Sequence, residues 1–449
     1  GQSRKMKGVC LHHDLGCLGT AFFSAGWERR LQVLQELGFN AIRTSHNPPD
    51  PALLDLCDRL GLFVIDEAFD KWREGCSGEF FEPWWQQDLE AMVRRDRNHP
   101  CVVMWSVGNE VEDQGSQTMI DTCRMLSDHV KSLDATRPTT IGLLPHCHDS
   151  MWDDTVAAKA ERVKAIAAAV DIVGLNYQDQ WYEAYHEAMP EQVFVATEAF
   201  HFFQHRDNAS WAMHAINPWF TTVEAPYVVG QFLWTGIDYL GEATRGWPVR
   251  GWNGAPVDSA GIIKPRGWWH AAAWSDKPVV RAAVRWRDGD THQQADWSFP
   301  PLVDHWNLPL CPQEVVEVWV FSNGHTVELL HDGGPKGTRV MAECPNRIAS
   351  FFLPYGEGTL EAVSRDEDGN ELARHTLTTA GPPAALKVDV DKQALRADDQ
   401  DLAHVQITVV DGNGVRVPDA AVPVGIDVEG PARLAGMDNG DLCCHEPYQ

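Results

Sequence analysis

Two glutamates stand at the ends of short β-branched runs that are far apart in the chain. Glu110 follows VVMWSVGN, and Glu198 follows QVFVAT. Two carboxyl groups that face each other across one cavity can divide the work of a proton donor and a nucleophile, as cleavage of a glycosidic bond requires. A single carboxylate at a strand end is more often an acceptor for backbone N–H groups, so the hypothesis depends on the pair.

Further polar side chains occur where other β-branched runs end. Arg43 follows the second run, and we expect its guanidinium to favour the charged form of Glu198 while Glu110 keeps its proton. Asp66 and Glu67 end the third run, where we expect both to support the site. The remaining candidates at run ends are His12, His13, Asp14, His46, Asp70, Asn109, Asn176, Tyr177, Trp234 and Asp238.

The elements that would position these residues form a repeating pattern. Through residue 285, eight short Val- and Ile-rich runs alternate with helical patterns, which is typical of successive βα units. Eight such units predict a closed (β/α)8 TIM barrel of the α/β class, with its site at the carboxyl ends of the strands. The strands are expected at 7–11, 40–45, 62–67, 102–107, 139–144, 171–176, 192–197 and 228–234.

The helices between these strands carry recognisable ends. One is expected to begin at Asp50, with Pro51 in its first turn, and to stop at Gly61. Another would bury Trp27, Leu31 and Leu34 on one side and end at Gly38.

The pattern changes after Arg285 to short alternating strands separated by Gly, Pro and Asn. Residues 286–383 are predicted to form an all-β immunoglobulin-like sandwich, with SNG at 322–324 and DGN at 368–370 as hairpin turns. A linker around 381–385 precedes a second such domain at 384–449. We expect that second domain to be truncated and the chain to lack preceding domains.

Charge and composition restrict the classes of partner. A formal charge of −27 disfavours nucleic acid and anionic membrane surfaces, which bind through clustered Lys and Arg, so a neutral small carbohydrate is the expected substrate. The eleven cysteines lack CxxC or Cys/His spacing, which favours reduced thiols and a cytoplasmic enzyme over a periplasmic or secreted one. A signal peptide missing from the sequence would leave the secreted alternative open.

Several motifs resemble one family closely. WSVGNE, which ends at Glu110, is similar to the acid/base motif of glycoside hydrolase family 2, whose members include β-galactosidases, β-glucuronidases and β-mannosidases. RTSHNPP at 43–49 and LCDRLGLFVIDEAF at 56–69 resemble its signature on the second and third strands. GVCLHHDLG, ATEAF and GQFLWTGIDYLGE fit its first, nucleophile and last strands, and the sandwich looks like the accessory domain of many bacterial members.

The resemblance implies a role for each matching residue. Glu110 would be the general acid/base and Glu198 the nucleophile, with Tyr177 bonded to the nucleophile. Asn109 would donate to the sugar 2-hydroxyl, and Trp234 would offer a flat apolar surface to the pyranose. The sugar-binding residues implied together are His12, Arg43, His46, Asn109, Tyr177 and Trp234.

Departures from the family pattern bear on metal and substrate. Lys71 and Arg73 stand where the best known galactosidase has magnesium ligands, so we expect no such metal site and no cofactor. The Asn-x-Lys motif of glucuronidases is absent, although Lys264 and Arg266 could meet an acid group. The favoured activity is a retaining, exo-acting β-galactosidase, often a homo-oligomer in this family. A β-glucuronidase or β-galacturonidase and an inactive carbohydrate-binding barrel are the alternatives.

Overall fold

The computed structural model describes residues 4–75, 78–144, 155–201, 217–243, 246–285 and 301–448. These residues form two compact units. The first contains residues 4–13 and the described part of 39–237, and the second contains residues 14–38 and the described residues from 238 onwards. The first unit holds a closed barrel of parallel strands, and the second holds antiparallel sheets.

Eight parallel strands close the barrel in chain order, because β1 pairs with both β2 and β8. Every predicted strand is confirmed, and no strand end differs by more than two residues from the sequence expectation. The strands are nearly fully buried, as expected of parallel strands covered on both faces. They are β1 (Met6–Leu11), β2 (Ala41–Thr44), β3 (Phe63–Glu67), β4 (Val102–Asn109), β5 (Thr139–Leu143), β6 (Ile172–Asn176), β7 (Val193–Ala199) and β8 (Val228–Leu233).

The predicted helix ends are confirmed in the two helices that the sequence marked most clearly. In α2 the Asp50 side chain accepts a hydrogen bond from Ala52 N, and Gly61 ends the helix at φ 72°. In α1, Trp27, Leu31 and Leu34 are buried together on one side. The α-helices are α1 (Ser24–Glu36), α2 (Pro51–Leu60), α3 (Gly78–Asp96), α4 (Gln117–Leu133), α5 (Val156–Ala167), α6 (Tyr182–Ala188), α7 (Pro218–Glu224) and α8 (Gly267–Trp274).

Two four-stranded antiparallel sheets lie in the second unit. Their orders are β12-β11-β13-β16 and β15-β14-β17-β18, and they share an apolar core that includes Trp306, Phe351 and Leu360. The strands are β9 (Tyr239–Leu240), β10 (Gly251–Trp252), β11 (Val280–Arg285), β12 (Leu302–Val303), β13 (Val315–Ser322), β14 (Thr326–His331), β15 (Gly334–Val340), β16 (Ile348–Pro354), β17 (Thr359–Arg365), β18 (Glu371–Thr378), β19 (Ala385–Val390) and β20 (Val405–Val410).

One of the two predicted hairpin turns is confirmed and the other is wrong. The DGN turn joins β17 and β18, which pair as an antiparallel hairpin. The SNG turn instead links β13 in one sheet to β14 in the other, since β13 pairs with β11 and β16. The first sheet also includes β11, which lies before the predicted boundary at 285/286. That boundary adjoins residues 286–300, which lie outside the described residues, so the domain limits remain predictions.

Beyond the sandwich, the predicted linker is followed by one two-stranded antiparallel sheet, β19-β20. In the irregular segment after it, Arg416 forms an isolated antiparallel bridge with Val410, the last residue of β20. Within the described residues, none of the helices is both long and apolar enough to cross a bilayer.

Candidate active site

Arg43 occupies the centre of a polar network at the carboxyl ends of the barrel strands. Its side chain is fully buried, and its Nε and Nη2 donate to Glu67 Oε2 at 2.9 and 2.6 Å. Nη1 donates to Glu198 Oε1 at 2.9 Å, and Nη2 also donates to Asn109 Oδ1 at 2.8 Å. One guanidinium on β2 therefore orients side chains on β3, β4 and β7. A guanidinium can do so because its N–H donors lie in a rigid plane and can reach several acceptors at once.

Two amide side chains extend this network to Glu110. Arg43 can only donate, so the atom it contacts on Asn109 must be the carbonyl oxygen, and the amide nitrogen of Asn109 turns towards Asp70 and His46. Asn176 Nδ2 donates both to Asn109 Oδ1 at 3.0 Å and to Glu110 Oε1 at 2.9 Å. The orientation of Asn109 thus directs its N–H groups, and not its oxygen, towards Asp70 and His46.

Glu110 follows the last residue of β4 in a left-handed backbone conformation, with φ 45°. Its backbone N–H donates to Gly142 O on β5 at 2.9 Å, which fixes the start of the loop. The side chain is 17% exposed, and Lys71 Nζ lies 3.5 Å from Oε2. Glu110 is therefore the more accessible of the two candidate catalytic carboxyls.

Glu198 lies on β7 and is only 5% exposed. Arg43 donates to it at 2.9 Å, the Tyr177 hydroxyl hydrogen-bonds it, and His46 Nε2 lies 3.8 Å from Oε1. These contacts place three polar groups around one carboxylate, which agrees with the predicted pairing of Tyr177 with Glu198. Glu198 thus has the fixed orientation that attack on one carbon atom needs.

Arg43 favours the charged form of Glu198, as expected, but burial and a second carboxylate outweigh it. Burial, together with the negative charge of Glu110, raises the pKa of Glu198 to about 7, although Arg43 and His46 lower it. Glu198 is therefore largely protonated below about pH 7, and the ionised form that a nucleophile needs is gained as the pH rises through that value.

Aromatic rings cover another side of the site. His46 stacks on Trp234 with centroids 5.1 Å apart, and His12 meets Trp234 edge-on at 5.0 Å. Glu67 Oε1 lies 2.6 Å from His46 Nδ1. Burial lowers the pKa of His46, but Glu67 raises it by more, whereas burial lowers the pKa of His12 to about 3. His12 is therefore neutral at neutral pH, whereas the pKa of the neighbouring His46 lies above its ordinary value.

The eight predicted site residues converge at this end of the barrel, although their individual roles stay predictions. One supporting residue is misplaced, because Asp66 faces Asp96 and the charge of Arg95 rather than the site. Burial and Asp96 hold the pKa of Asp66 well above its ordinary value. In the second unit, Asp14 accepts a bond from Gly16 N at 2.7 Å, which gives this carboxylate a structural partner.

The two positions where the sequence predicted no magnesium ligands hold cationic side chains, and each of them pairs with a carboxylate. Lys71 pairs with Asp70 at 3.1 Å, and Arg73 pairs with Glu82. Among the described residues, one group of three donors, at the amino end of β4, could hold a metal ion, with donor atoms within 4.8 Å of one another. Its carboxylate oxygens already bond the other two residues, at 2.8 and 2.7 Å, which explains the cluster without a metal. Its members are Asp58, His99 and Cys101.

Models of known protein families match several parts of this chain. The model of the TIM barrel domain of glycosyl hydrolases family 2 matches residues 1–201, and that of glycoside hydrolase family 2 C-terminal domain 5 matches residues 386–449. The chain belongs to glycoside hydrolase family 2. Between these two matches, a domain of unknown function matches residues 313–373 of this family 2 chain.

Family 2 relatives resemble the chain along its whole length. A β-galactosidase of Bacteroides ovatus is 32% identical over 100% of this chain and 57% of its own length. A putative β-glucuronidase of Formosa agariphila is 27% identical over 98% of this chain and 44% of its own length. A solved family 2 structure from Bacteroides cellulosilyticus superposes with a TM-score of 0.89 at 34% identity, over 100% of this chain and 57% of that one. The chain therefore spans about half the length of these relatives.

Sequence reasoning missed part of the family 2 site. Asn176 was noted only as a strand-end residue, yet it joins Asn109 to Glu110. Gly142 was not singled out, although a Cβ there would lie 2.8 Å from Asn109 Oδ1. The signal was present in part, because β5 and β6 each carry a glycine, Gly142 and Gly174, and the two are register partners.

Proposed function

We propose that the protein is a retaining β-glycosidase that removes terminal β-D-galactosyl residues, with Glu198 as nucleophile and Glu110 as general acid/base. The observation that carries this proposal is the unequal support of two carboxyls, one directly after β4 and one on β7. Glu198 is buried and receives bonds from Arg43 and Tyr177, whereas Glu110 is partly exposed and bonded by Asn176. A double displacement needs one fixed nucleophile and one group that exchanges protons.

In the first step, the Glu198 carboxylate attacks the anomeric carbon while Glu110 gives its proton to the leaving oxygen. A bond forms between a Glu198 oxygen and the sugar, and the glycosidic C–O bond breaks. Arg43 keeps Glu198 oriented and holds the amide oxygen of Asn109, so the amide nitrogen of Asn109 is the group that we assign to the sugar 2-hydroxyl.

In the second step, Glu110 has lost its proton and acts as a base. It takes a proton from water, whose oxygen attacks the anomeric carbon, and Glu198 leaves as a carboxylate. The Tyr177 hydroxyl then donates to the departing oxygen of Glu198, as it does in the free site. Two inversions at one carbon retain the β configuration of the product.

Two cations that could have bound an acidic sugar are engaged within the second unit, which supports a neutral galactoside over a uronide. Lys264 forms an ion pair with buried Asp238 and donates to Asn253 O at 2.8 Å. Arg266 is buried and donates to Gly254 O. The names of the relatives include both galactosidases and glucuronidases, so the glucuronide remains the second candidate.

Hydrolysis of nitrophenyl glycosides by the complete protein tests this proposal. We expect the β-galactoside to give a higher kcat/KM than the β-glucuronide and the β-mannoside. A preference for the glucuronide would overturn the substrate. Binding of galactose without turnover of any of the three would instead support an inactive carbohydrate-binding barrel. A cytoplasmic location and a homo-oligomer remain predictions, to be checked by cell fractionation and light scattering.

A further inference from the structure

Lys71 lies beside Glu110, in the loop between β3 and α3, and the two steps above give it no part. Its Nζ donates to Asp70 Oδ1 at 3.1 Å and to the backbone oxygen of Asn109 at 3.4 Å, and it lies 3.5 Å from Glu110 Oε2. The side chain is 31% exposed. A positive charge is therefore held within contact distance of the proposed acid/base.

The loop that carries Lys71 is fastened to the end of β4 on both sides of this residue. Before it, Asp70 O accepts a hydrogen bond from Asn109 N at 2.9 Å. After it, the Trp72 indole donates to Val107 O at 2.8 Å and is almost fully buried. Gly108 leaves room for this indole, because a Cβ there would lie 2.6 Å from its Nε1. The backbone thus presents Lys71 to Glu110 from a fixed position.

The two oxygens of Glu110 have different neighbours. Oε1 accepts from the amide of Asn176 at 2.9 Å, so its lone pair on that side is occupied. Oε2 is the oxygen near Lys71, at a distance longer than a strong charged hydrogen bond. Oε2 is therefore the oxygen left to carry the proton that Glu110 would transfer, and it is the oxygen that Lys71 flanks.

We propose that Lys71 is a positioning residue that stabilises the Glu110 carboxylate as its proton passes to the leaving group. The proposal rests on the proposed function of Glu110. The O–H bond at Oε2 breaks, an O–H bond forms on the leaving oxygen, and the ammonium keeps all its protons while its attraction to Oε2 increases. Because this attraction is stronger when Glu110 is charged, it favours the transition state over the bound substrate.

Charged groups from three elements face Lys71. Asp70 lies on the same loop, Glu110 follows β4, and Glu198 lies on β7. Burial lowers the pKa of Lys71, but these carboxyls raise it by more, so that it lies above its ordinary value. Lys71 therefore remains charged at neutral pH and well above it, so the pH profile of the wild type does not reflect loss of a proton from Lys71.

Three substitutions in the complete protein test this role. Lys71→Met and Lys71→Gln remove the charge, whereas Lys71→Arg keeps it. Lys131→Met is the matched control, because Lys131 pairs with Asp171 at 2.8 Å at the surface. The readouts are the pH profile of kcat/KM and the ratio of rates for two β-galactosides, one with a poor leaving group and one with dinitrophenolate, which needs little protonation.

The neutral variants should move the alkaline limb of the pH profile upward by about one unit, because the Glu110 carboxylate loses the cation that lies 3.5 Å from its Oε2. They should slow the poor leaving group about tenfold while hardly changing the dinitrophenyl substrate. Lys71→Arg should restore most of both properties, and Lys131→Met should match the wild type.

An unchanged limb and an unchanged substrate ratio in both neutral variants would overturn the role of Lys71. An equal loss on both substrates without a limb shift would also overturn it, since that result indicates only a structural contribution. Failure of the proposed function is separate, because the wild type would then hydrolyse none of the glycosides or Glu110→Ala would keep full activity.

Discussion

Replacing Gly142 by alanine should disturb the active site without altering any polar group. Gly142 lies in β5, where a Cβ would be 2.8 Å from Asn109 Oδ1, 3.2 Å from Asn176 Oδ1 and 3.3 Å from Thr197 Oγ1. The backbone cannot easily retreat, because Gly142 O accepts from Glu110 N and the strand pairs on both sides. The two amides must therefore move.

The size of the effect follows from these distances. A methyl group needs roughly 3.4 Å or more from a neighbouring atom, so Asn109 must shift by about half an ångström from its place between Arg43 and Asn176. Overpacking of this kind costs about 1–3 kcal/mol of folding stability. Misplacement of a positioned group by about an ångström can lower the rate about 100-fold. For the smaller shift in Gly142→Ala we therefore expect kcat/KM to fall by roughly 10- to 100-fold.

The assay compares kcat/KM on nitrophenyl β-galactoside and the thermal midpoint for Gly142→Ala and Gly412→Ala. Gly412 is the matched control because a Cβ there would meet nothing within 4 Å. If Gly142→Ala keeps activity within about threefold of the control, the reasoning that catalysis depends on the positions of Asn109 and Asn176 is refuted.

Three substitutions and a change of pH should separate the roles of the charged groups. Glu198→Gln should abolish turnover, whereas added azide should restore activity to Glu110→Ala, as measured by product analysis. If azide restores activity to neither variant, the assignment of the two roles is contradicted. Because burial and Glu110 raise the pKa of Glu198 to about 7, kcat/KM should rise as the pH increases towards 7 and the nucleophile becomes charged; a kcat/KM that stays constant between about pH 5 and pH 7 would contradict this pKa. Arg43→Met leaves two buried carboxyls without their cation and should lower the free energy of unfolding by about 3–5 kcal/mol in urea titrations; a loss below about 1 kcal/mol would contradict the central place of Arg43.

Local sequence signals were enough to predict the barrel. Strand and helix limits depend on residues that act within a few positions, such as Asp50 and Gly61 at the ends of α2. The order of polar residues after each strand then predicted the two glutamates and their neighbours, because the carboxyl ends of all eight strands meet at one end of a barrel.

Side-chain direction explains why Asp66 was misplaced. Successive residues of a strand point to opposite faces, so only one of Asp66 and Glu67 can reach the interior of the barrel. Glu67 does so and bonds Arg43, while Asp66 faces Asp96. The alternation was available in the sequence and should have excluded one of the two.

Other features depend on contacts between distant residues. The SNG turn has a local signal, but the sheet that each flanking strand joins is set by packing, and β13 and β14 join different sheets. The pKa of Glu198 depends on how much burial outweighs the charge of Arg43, which residue types alone do not give. The contact of Lys71 with Glu110 likewise requires the loop to be fastened to β4.

Trapping the glycosyl-enzyme tests the central claim most directly. The complete protein would be incubated with dinitrophenyl 2-deoxy-2-fluoro-β-galactoside, digested and analysed by peptide mass spectrometry. A covalent fluorosugar on the peptide that contains Glu198, absent from Glu198→Gln, is the predicted result. A label on any other residue, or turnover of the unfluorinated substrate with inversion at the anomeric carbon, would contradict the account.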